Sequence, residues 1–258
     1  MLCRDIMKVI ETTYSKHAAL EWDNVGLLAG RKDKDVKKIY VALDATDEVI
    51  DEVIALGADM LITHHPLLFS PLKQITDEHF VGGRVVKLLQ HDISYYAMHT
   101  NYDVLRMASL SGEMLGLTDM EVLEMTDSQK IEGIGRVGHL ANELSLRECC
   151  ELVKVKFQLD VVKVFGDLDK KVTCVAISPG SGKHMTELAI AKEADVFVTA
   201  EIDHHEGIDS VAQGMAIIDA GHYGLEHIFI KDVAEFLEAM LSNVEIVMEE
   251  KHHPFQLI

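Results

Sequence analysis

The sequence of 258 residues is short of positive charge, because 24 lysines and arginines stand against 43 aspartates and glutamates. The formal net charge is therefore −19 at pH 7 with histidine neutral. Nucleic acid backbones and anionic lipid surfaces attract proteins through lysine and arginine, so this balance argues against a nucleic acid duplex and against a membrane as partners. The surplus of carboxylates suits a site that concentrates cations.

Cysteine and long apolar runs are also scarce. None of the four cysteines belongs to a Cys-x-x-Cys pair, which argues against a thiolate metal site and indicates reduced thiols in a cytoplasmic protein. No segment approaches the roughly 18 consecutive apolar residues of a membrane span. The first 16 residues carry charges and helically spaced apolar side chains, unlike the apolar stretch of a secretion signal. We therefore expect a cytoplasmic localisation.

What the sequence does contain is a repeated order of strand and helix. Residues 39–43 and 59–63 are apolar runs typical of strands, and residues 47–56 between them have helical spacing. Strand, helix and strand in this order predict a parallel pair of strands. The patterns along the rest of the chain predict further strands and helices at 81–91, 93–98, 172–178, 183–193, 195–199, 210–214, 216–219, 224–241 and 244–248.

The two halves of the chain also match in detail. The run Ala58-Asp59-Met60-Leu61-Ile62-Thr63 aligns with Ala194-Asp195-Val196-Phe197-Val198-Thr199. His64–His65 follows the first run at once, and His204–His205 follows the second after a short insertion. A histidine then stands four positions before a carboxylate in each half, as His99 with Asp103 and as His222 with Glu226. Each half also opens on a lysine pair, Lys37–Lys38 and Lys170–Lys171. We infer a weak internal duplication.

The predicted fold class is α/β, with two similar halves whose mixed, largely parallel sheets face each other across a metal-binding cleft. We place the first domain at residues 1–125 and the second at 126–258, because residues 118–138 are charged and glycine-dotted. The C-terminal helix and strand could pack back on the first domain. Open α/β sheets carry their sites at the carboxyl ends of the strands, which is where the histidine motifs fall.

The residue types in these motifs predict a metal site. Histidine and carboxylate without thiolate suit Zn²⁺, Fe²⁺, Mn²⁺ or Co²⁺ and do not choose among them. Two imidazoles at the strand-to-loop turn Thr63-His64-His65-Pro66 can serve two adjacent cations, and sites with two metal ions typically activate water for hydrolysis. Plainer interpretations stay open, since a His-His pair can be structural or exposed. His222 and Glu226 could also form an ordinary pair one helical turn apart.

Several of these stretches carry a family resemblance that covers nearly the whole chain. Its motifs are Trp22-Asp23-Asn24-Val25-Gly26-Leu27, Thr63-His64-His65-Pro66, His99-Thr100-Asn101-Tyr102-Asp103, Gly221-His222-Tyr223-Gly224-Leu225-Glu226 and the segments 133–138 and 199–205. Together they resemble the signatures of the GTP cyclohydrolase 1 type 2 family, also called the NGG-one-interacting-factor-three-like family. One departure is Ala200, which stands where the resemblance leads us to expect the glycine of a Thr-Gly-Glu turn.

The resemblance implies a protein of two α/β domains with a dinuclear metal centre, which forms a ring-shaped homohexamer. Its cofactors would be two divalent ions per chain. The ligands that it implies by motif position are His64, His65, Asp103, His222 and Glu226, with Glu226 as the bridge between the ions.

The family name implies the hydrolytic opening of the guanine ring of GTP with loss of formate. Candidates for proton transfer in that reaction are His99, His204 and His205. Candidates for contact with the substrate are Asn101, Lys183 and Arg136. Two other functions remain open, namely a non-catalytic scaffold that binds or handles metal and a regulator that binds a partner and keeps its metals for structure.

Overall fold

The computed structural model describes residues 1–127, 129–251 and 253–256. In this part of the chain the strands are β1 Gly26–Ala29, β2 Lys38–Ala42, β3 Met60–Thr63, β4 Ser94–Ala97, β5 Thr118–Asp127, β6 Glu132–Ser145, β7 Lys163–Phe165, β8 Lys171–Ser181, β9 Val196–Glu201, β10 Ala216–Asp219 and β11 Glu245–Met248. The helices are α1 Cys3–Thr13, α2 Asp47–Ala55, α3 Phe80–Gln90, α4 Thr100–Tyr102, α5 Ala108–Leu115, α6 Leu146–Phe157, α7 Met185–Ala191, α8 His204–Ala212, α9 His222–Glu226 and α10 Ile228–Met240. A 3₁₀ turn covers Lys16–Ala18 and a π-helical turn covers Asp103–Met107.

These elements form two units, and the chain enters the first unit twice. The first unit consists of Met1–Tyr102 and His227–His252, and the second of Asp103–Glu226 and His253–Ile258. The boundary that we predicted between residues 125 and 126 is wrong, because it falls inside β5. Within the range 118–138, where we expected the boundary, β5 and the first half of β6 pair as an antiparallel hairpin. Its charged residues lie on the exposed side of β5 and do not form a linker between domains.

The first unit is built on a sheet with the strand order β1-β4-β3-β2-β11. The pairs from β4 to β11 are parallel, and only β1 at the edge runs antiparallel to β4. The C-terminal strand therefore completes the first sheet, with Ile246 opposite Ile39. Thr46 begins α2 by accepting the backbone N–H of Val49 on its hydroxyl oxygen. The apolar face of α2 then packs on buried residues of the sheet such as Tyr40.

The second unit has a sheet with the strand order β5-β6-β8-β9-β10-β7. Strands β8, β9 and β10 are parallel, whereas the outer pairs β5–β6, β6–β8 and β7–β10 are antiparallel. The predicted α/β class with mixed sheets is confirmed, although antiparallel pairs outnumber parallel pairs in this second sheet. Ala200 continues β9 as an extended residue, so the local backbone needs no glycine there.

The duplication is visible in the hydrogen bonds at the start of the central strands. One carboxylate oxygen of Asp59 accepts the backbone N–H groups of Lys37 and Lys38 at 2.8 and 3.1 Å. One carboxylate oxygen of Asp195 accepts those of Thr173 and Cys174 at 2.8 and 2.9 Å. The two aspartates therefore occupy the same place, directly before β3 of the first sheet and directly before β9 of the second.

A lysine accompanies each aspartate, but it is not the lysine that the sequence match selected. The ammonium of Lys34 donates to the backbone carbonyls of Asp59 and Asp92. The ammonium of Lys170 donates to those of Asp195 and Gly214, both at 2.6 Å. Lys170 therefore corresponds to Lys34 and not to the pair Lys37–Lys38, which the sequence had aligned with it.

One observation bears on membranes. None of the helices in residues 1–127, 129–251 and 253–256 combines the length and the apolar character that crossing a membrane requires.

Candidate metal centre

Three imidazoles lie together at the carboxyl ends of two neighbouring strands of the first unit. His64 and His65 directly follow β3, and His99 comes two residues after β4. These strands are parallel and adjacent, with Thr63 opposite Ala97, so their carboxyl ends meet. One ring nitrogen of each histidine lies within 4.8 Å of those of the other two. The structure therefore brings His99 into the same cluster as the predicted ligands.

Each of these imidazoles is oriented by an oxygen atom at its Nδ1. The Nδ1 of His64 lies 2.8 Å from the carbonyl oxygen of Met98, and that of His65 lies 2.8 Å from a carboxylate oxygen of Asp44. The Nδ1 of His99 lies 2.9 Å from a carboxylate oxygen of Asp23. These oxygens accept hydrogen bonds, so each Nδ1 carries the proton and each Nε2 carries the lone pair. Histidines that ligate metals are held in this way in proteins.

Asp23 is the most constrained of these oxygen partners. Its side chain has no solvent exposure, and it also accepts the backbone N–H and the hydroxyl of Thr100 at 3.0 and 2.5 Å. Burial alone would raise its pKa, but the hydrogen bonds from His99 and Thr100 outweigh burial and lower the pKa of Asp23 to about 2. Asp23 is therefore an anion at neutral pH, and it holds His99 in one orientation.

Asp23 and Asp44 were not among the predicted site residues. Asp23 belongs to a motif that carried the resemblance, and Asp44 lies just after the end of β2. The position of Asp44 beyond a strand end was the available signal, because that is the edge at which the sites of parallel sheets collect.

The second unit carries a histidine and a carboxylate on one short helix. His222 begins α9 and Glu226 ends it, and the Nε2 of His222 lies 2.9 Å from a carboxylate oxygen of Glu226. The Nδ1 of His222 lies 3.0 Å from a carboxylate oxygen of Glu201. Glu226 is almost completely buried, and a Cβ atom on Gly180 would approach its other carboxylate oxygen to 2.9 Å. His222 and Glu226 therefore do form a pair one helical turn apart, as one of our interpretations expected. Their spacing places two donors suited to a divalent ion side by side.

Three further residues that we predicted for metal binding or proton transfer lie on two elements of the second unit. Asp103 begins the π-helical turn, a local geometry that is frequent at functional sites. His204 and His205 are exposed in the first turn of α8, with ring centroids 5.2 Å apart. In the part of the chain that the structure describes, neither belongs to a group of three metal-ligating side chains. Their role in proton transfer stays a prediction.

The three candidates for substrate contact differ in how far their polar groups are already engaged. Asn101 is wholly buried, and its amide donates to the carbonyl oxygen of Tyr14 at 3.1 Å. Arg136 donates to the backbone carbonyls of Gly133 and Gly135, and burial lowers its pKa. Lys183 lines a cavity of about 710 Å³ in the second unit, whose wall also includes His222, Lys163 and Tyr223.

Comparison with known proteins agrees with the resemblance seen in the sequence. The model of the family Duf34/NIF3 (NGG1p interacting factor 3) matches residues 1–254. Two curated relatives are named GTP cyclohydrolase 1 type 2 homolog. The one from Clostridium perfringens is 33% identical over 262 aligned positions and covers 100% of both chains. The one from Lactococcus lactis is 36% identical over 262 aligned positions and covers 99% of both chains.

Solved structures show the same fold. A Bacillus cereus protein described as related to NIF3 has a TM-score of 0.90 and 27% identity, with 100% of this chain and 99% of that chain covered. Reduced HcgD from Methanocaldococcus jannaschii has a TM-score of 0.84 and 30% identity, with 96% and 97% covered.

Proposed function

Since the chain belongs to the Duf34/NIF3 family, we propose that it is a metal-dependent hydrolase that acts on a nucleotide or a related small molecule. The observation that carries this proposal is the cluster of His64, His65 and His99, in which an oxygen atom fixes the tautomer of every imidazole. A cluster that served only for packing would not need a hydrogen bond at every Nδ1. These bonds leave all three Nε2 lone pairs available to a metal ion. The name of the curated relatives suggests the reaction, the opening of the guanine ring of GTP with release of formate.

The proposed ligands of two divalent ions are those that the motifs imply. They are His64, His65, Asp103, His222 and Glu226, with Glu226 in contact with both ions. Imidazole and carboxylate donors fit zinc, iron, manganese or cobalt. When bound, such ions act as Lewis acids and polarise oxygen atoms of the substrate.

His99 is the residue to which we assign proton transfer. Its Nδ1–H is donated to Asp23, so its Nε2 is the atom that can accept a proton from the reacting group. The buried carboxylate of Asp23 then stabilises the imidazolium that forms, as the aspartate does in other Asp–His pairs. His204 and His205 are secondary candidates. For the triphosphate we propose Lys183, whose ammonium is exposed at the wall of the cavity.

Elemental analysis of freshly purified, untagged protein tests the metal part of the proposal. We expect about two transition-metal ions per wild-type chain, loss of both in Glu226→Ala, and loss of mainly one in His64→Ala. His139→Ala is the matched control, because His139 is exposed on β6 and outside every motif. Equal losses in the two site variants would argue against Glu226 as the bridge, and a wild-type chain that takes up no metal would overturn the proposal.

Formate release from GTP by the metal-loaded protein tests the catalytic part. We expect turnover that His99→Ala abolishes without loss of metal. A fully loaded protein without turnover on GTP or other nucleotides would instead favour the metal-handling scaffold. A homohexamer in the cytoplasm remains part of the proposal, and sedimentation velocity would measure its size.

A further inference from the structure

Two large aromatic side chains stand exposed beside the histidine cluster of the first unit. Trp22 is 57% exposed and Phe69 is 53% exposed. Their ring centroids are 5.6 Å apart with 45° between the ring planes. Both rings also neighbour the imidazole of His99, with centroid distances of 5.9 Å from Trp22 and 6.4 Å from Phe69. Contiguous exposed apolar surface of this kind commonly marks a place where something binds.

Hydrogen bonds fix the loops that carry these two exposed rings. The amide of Asn24 donates to the carbonyl oxygen of Leu68, which ties the loop of Trp22 to the loop of Phe69. The backbone N–H of Leu67 donates to the buried hydroxyl of Tyr95 at 2.7 Å. The pair is therefore organised before any ligand arrives, which reduces the entropy lost on binding.

The segment that carries Trp22 also orients His99. Asp23, the next residue, accepts the Nδ1–H of His99 and two hydrogen bonds from Thr100. In addition, the backbone N–H of Leu20 donates to the hydroxyl of Thr100 at 2.9 Å. A ring stacked on Trp22 would thus keep a fixed position relative to the imidazole.

We propose that Trp22 and Phe69 form the stacking site for the planar heteroaromatic ring of the substrate, a purine base. Stacking on aromatic side chains is the common way in which proteins hold a base without reading its edge. It needs no charge, so it suits the base rather than the phosphates. This inference rests on the proposed function, because a ring at this place lies next to His99, to which that function assigns proton transfer.

Trp22 is the only tryptophan of the chain, so its fluorescence reports the site directly. The purified full-length chain is titrated with guanosine, with GTP and with ribose 5-phosphate, under excitation at the red edge of the indole band. We expect saturable quenching by guanosine and GTP and none by ribose 5-phosphate. Phe69→Ala should weaken guanosine binding about tenfold, and Phe69→Tyr should restore it.

Phe80→Ala is the matched control, because Phe80 is 62% exposed in the same unit but its ring contacts His79 and Arg84. It should leave the affinity for guanosine unchanged. Absence of quenching, or equal affinity in wild type and Phe69→Ala, would overturn the stacking site. A buried indole spectrum in the free protein that changes with protein concentration would also overturn it, since a second copy of the chain would then cover the pair.

The proposed stacking site and the proposed hydrolase activity can be rejected independently of each other. Quenching by guanosine without formate release from GTP would keep the stacking site and reject the reaction. Formate release with the same KM in wild type and Phe69→Ala would keep the reaction and reject the stacking site.

Discussion

Asp23 and His99 are 76 positions apart in the sequence, and a hydrogen bond of 2.9 Å joins the carboxylate of one to the imidazole of the other. This bond connects the loop that precedes β1 with the end of β4. It explains why the Trp22–Leu27 motif belongs to the candidate site, although that motif contains no histidine. The motif supplies the anion that orients an imidazole, and it supplies an aromatic ring next to that imidazole.

Replacement of this anion should lower stability in a pH-dependent way. The pKa of Asp23 is lowered from 3.8 to about 2 in the folded chain. Its stabilising contribution is therefore fully present above about pH 5, where the carboxylate is ionised in both states, and it is lost as the pH falls toward 2. We expect Asp23→Asn to lower the free energy of unfolding by about 2 kcal/mol at neutral pH.

Urea unfolding of wild type and Asp23→Asn at a series of pH values measures this difference. The gap between the two proteins should narrow as the solution is acidified. Asp77→Asn, at an exposed position of the same unit, should match wild type throughout. A gap that stays constant down to the lowest accessible pH would show that the charge of Asp23 is not its source.

Gly180→Ala should disturb Glu226 and reduce metal retention. Gly180 has φ +83°, and an added Cβ would lie 2.9 Å from a carboxylate oxygen of Glu226. Gly214 provides the control, with φ +91° and no atom within 4 Å of an added Cβ. Both alanine variants should lose about 1 kcal/mol of stability from the left-handed backbone.

Only Gly180→Ala should also lose bound metal by elemental analysis. Equal metal content in the Gly180→Ala and Gly214→Ala proteins would mean that the position of the Glu226 carboxylate does not control metal binding.

Lys34→Met should destabilise the chain more than a surface lysine variant does. Its buried ammonium donates to two backbone carbonyls and lies 3.8 Å from carboxylate oxygens of Asp59 and Asp92. Without it, these two backbone carbonyls lose a charged donor, which costs about 2 kcal/mol. Lys170→Met should have an effect of the same sign, because Lys170 occupies the corresponding place in the second sheet.

Denaturant midpoints of the two variants and of Lys32→Met, at an exposed position, test this expectation. A neutral result for both Lys34→Met and Lys170→Met would mean that the repeated contact has no bearing on stability.

Tyr95→Phe should loosen the loop that carries His65 and Phe69. The Tyr95 hydroxyl accepts the N–H of Leu67 and lies 3.0 Å from the carbonyl oxygen of His65. Burial raises the pKa of Tyr95 to about 12, so the hydroxyl stays neutral and able to donate. Its loss leaves the partly buried N–H group of Leu67 without its acceptor and should cost about 1 kcal/mol.

Tyr96→Phe is the neighbouring control, because the Tyr96 hydroxyl donates to Glu11 instead. Both variants should be less stable than wild type, but only Tyr95→Phe should weaken quenching of Trp22 by guanosine. Equal quenching in both variants would mean that the Tyr95 hydrogen bonds to this loop do not affect the proposed stacking site.

The central strands and their histidine motifs could be predicted from the sequence, because a buried parallel strand is a continuous apolar run. Residues 59–63 predicted β3, and residues 195–199 predicted β9, each within one or two residues of the observed ends. The hairpin of β5 and β6 was missed, since several of its residues face solvent and read as a charged loop. The single predicted helix at 224–241 is two helices, α9 and α10, divided where the chain returns to the first unit.

The equivalence of residues between the halves could not be predicted, because it depends on hydrogen bonds and strand register. The hydroxyl of Thr63 donates to the carbonyl oxygen of His65, and that of Thr199 donates to that of Glu201. Glu201, and not a residue of the pair His204–His205, therefore corresponds to His65.

The strand register also separates the two His-x-x-x-acid motifs. Ala97 lies opposite Thr63 in the first sheet, whereas Asp219 lies opposite Thr199 in the second. His99 thus follows its strand by two residues and His222 follows its strand by three, so the two motifs are offset by one position.

The pairing of β11 with β2 has a consequence for synthesis on the ribosome. Leu43, just after β2, donates its backbone N–H to the carboxylate of Glu249, which is 206 positions later in the chain. Until that late segment emerges, one edge of β2 offers unpaired backbone groups to any other strand nearby. Strand β2 is therefore translated long before the strand that covers its edge, and a chain that stalls before β11 would be prone to aggregate through Lys38–Ala42.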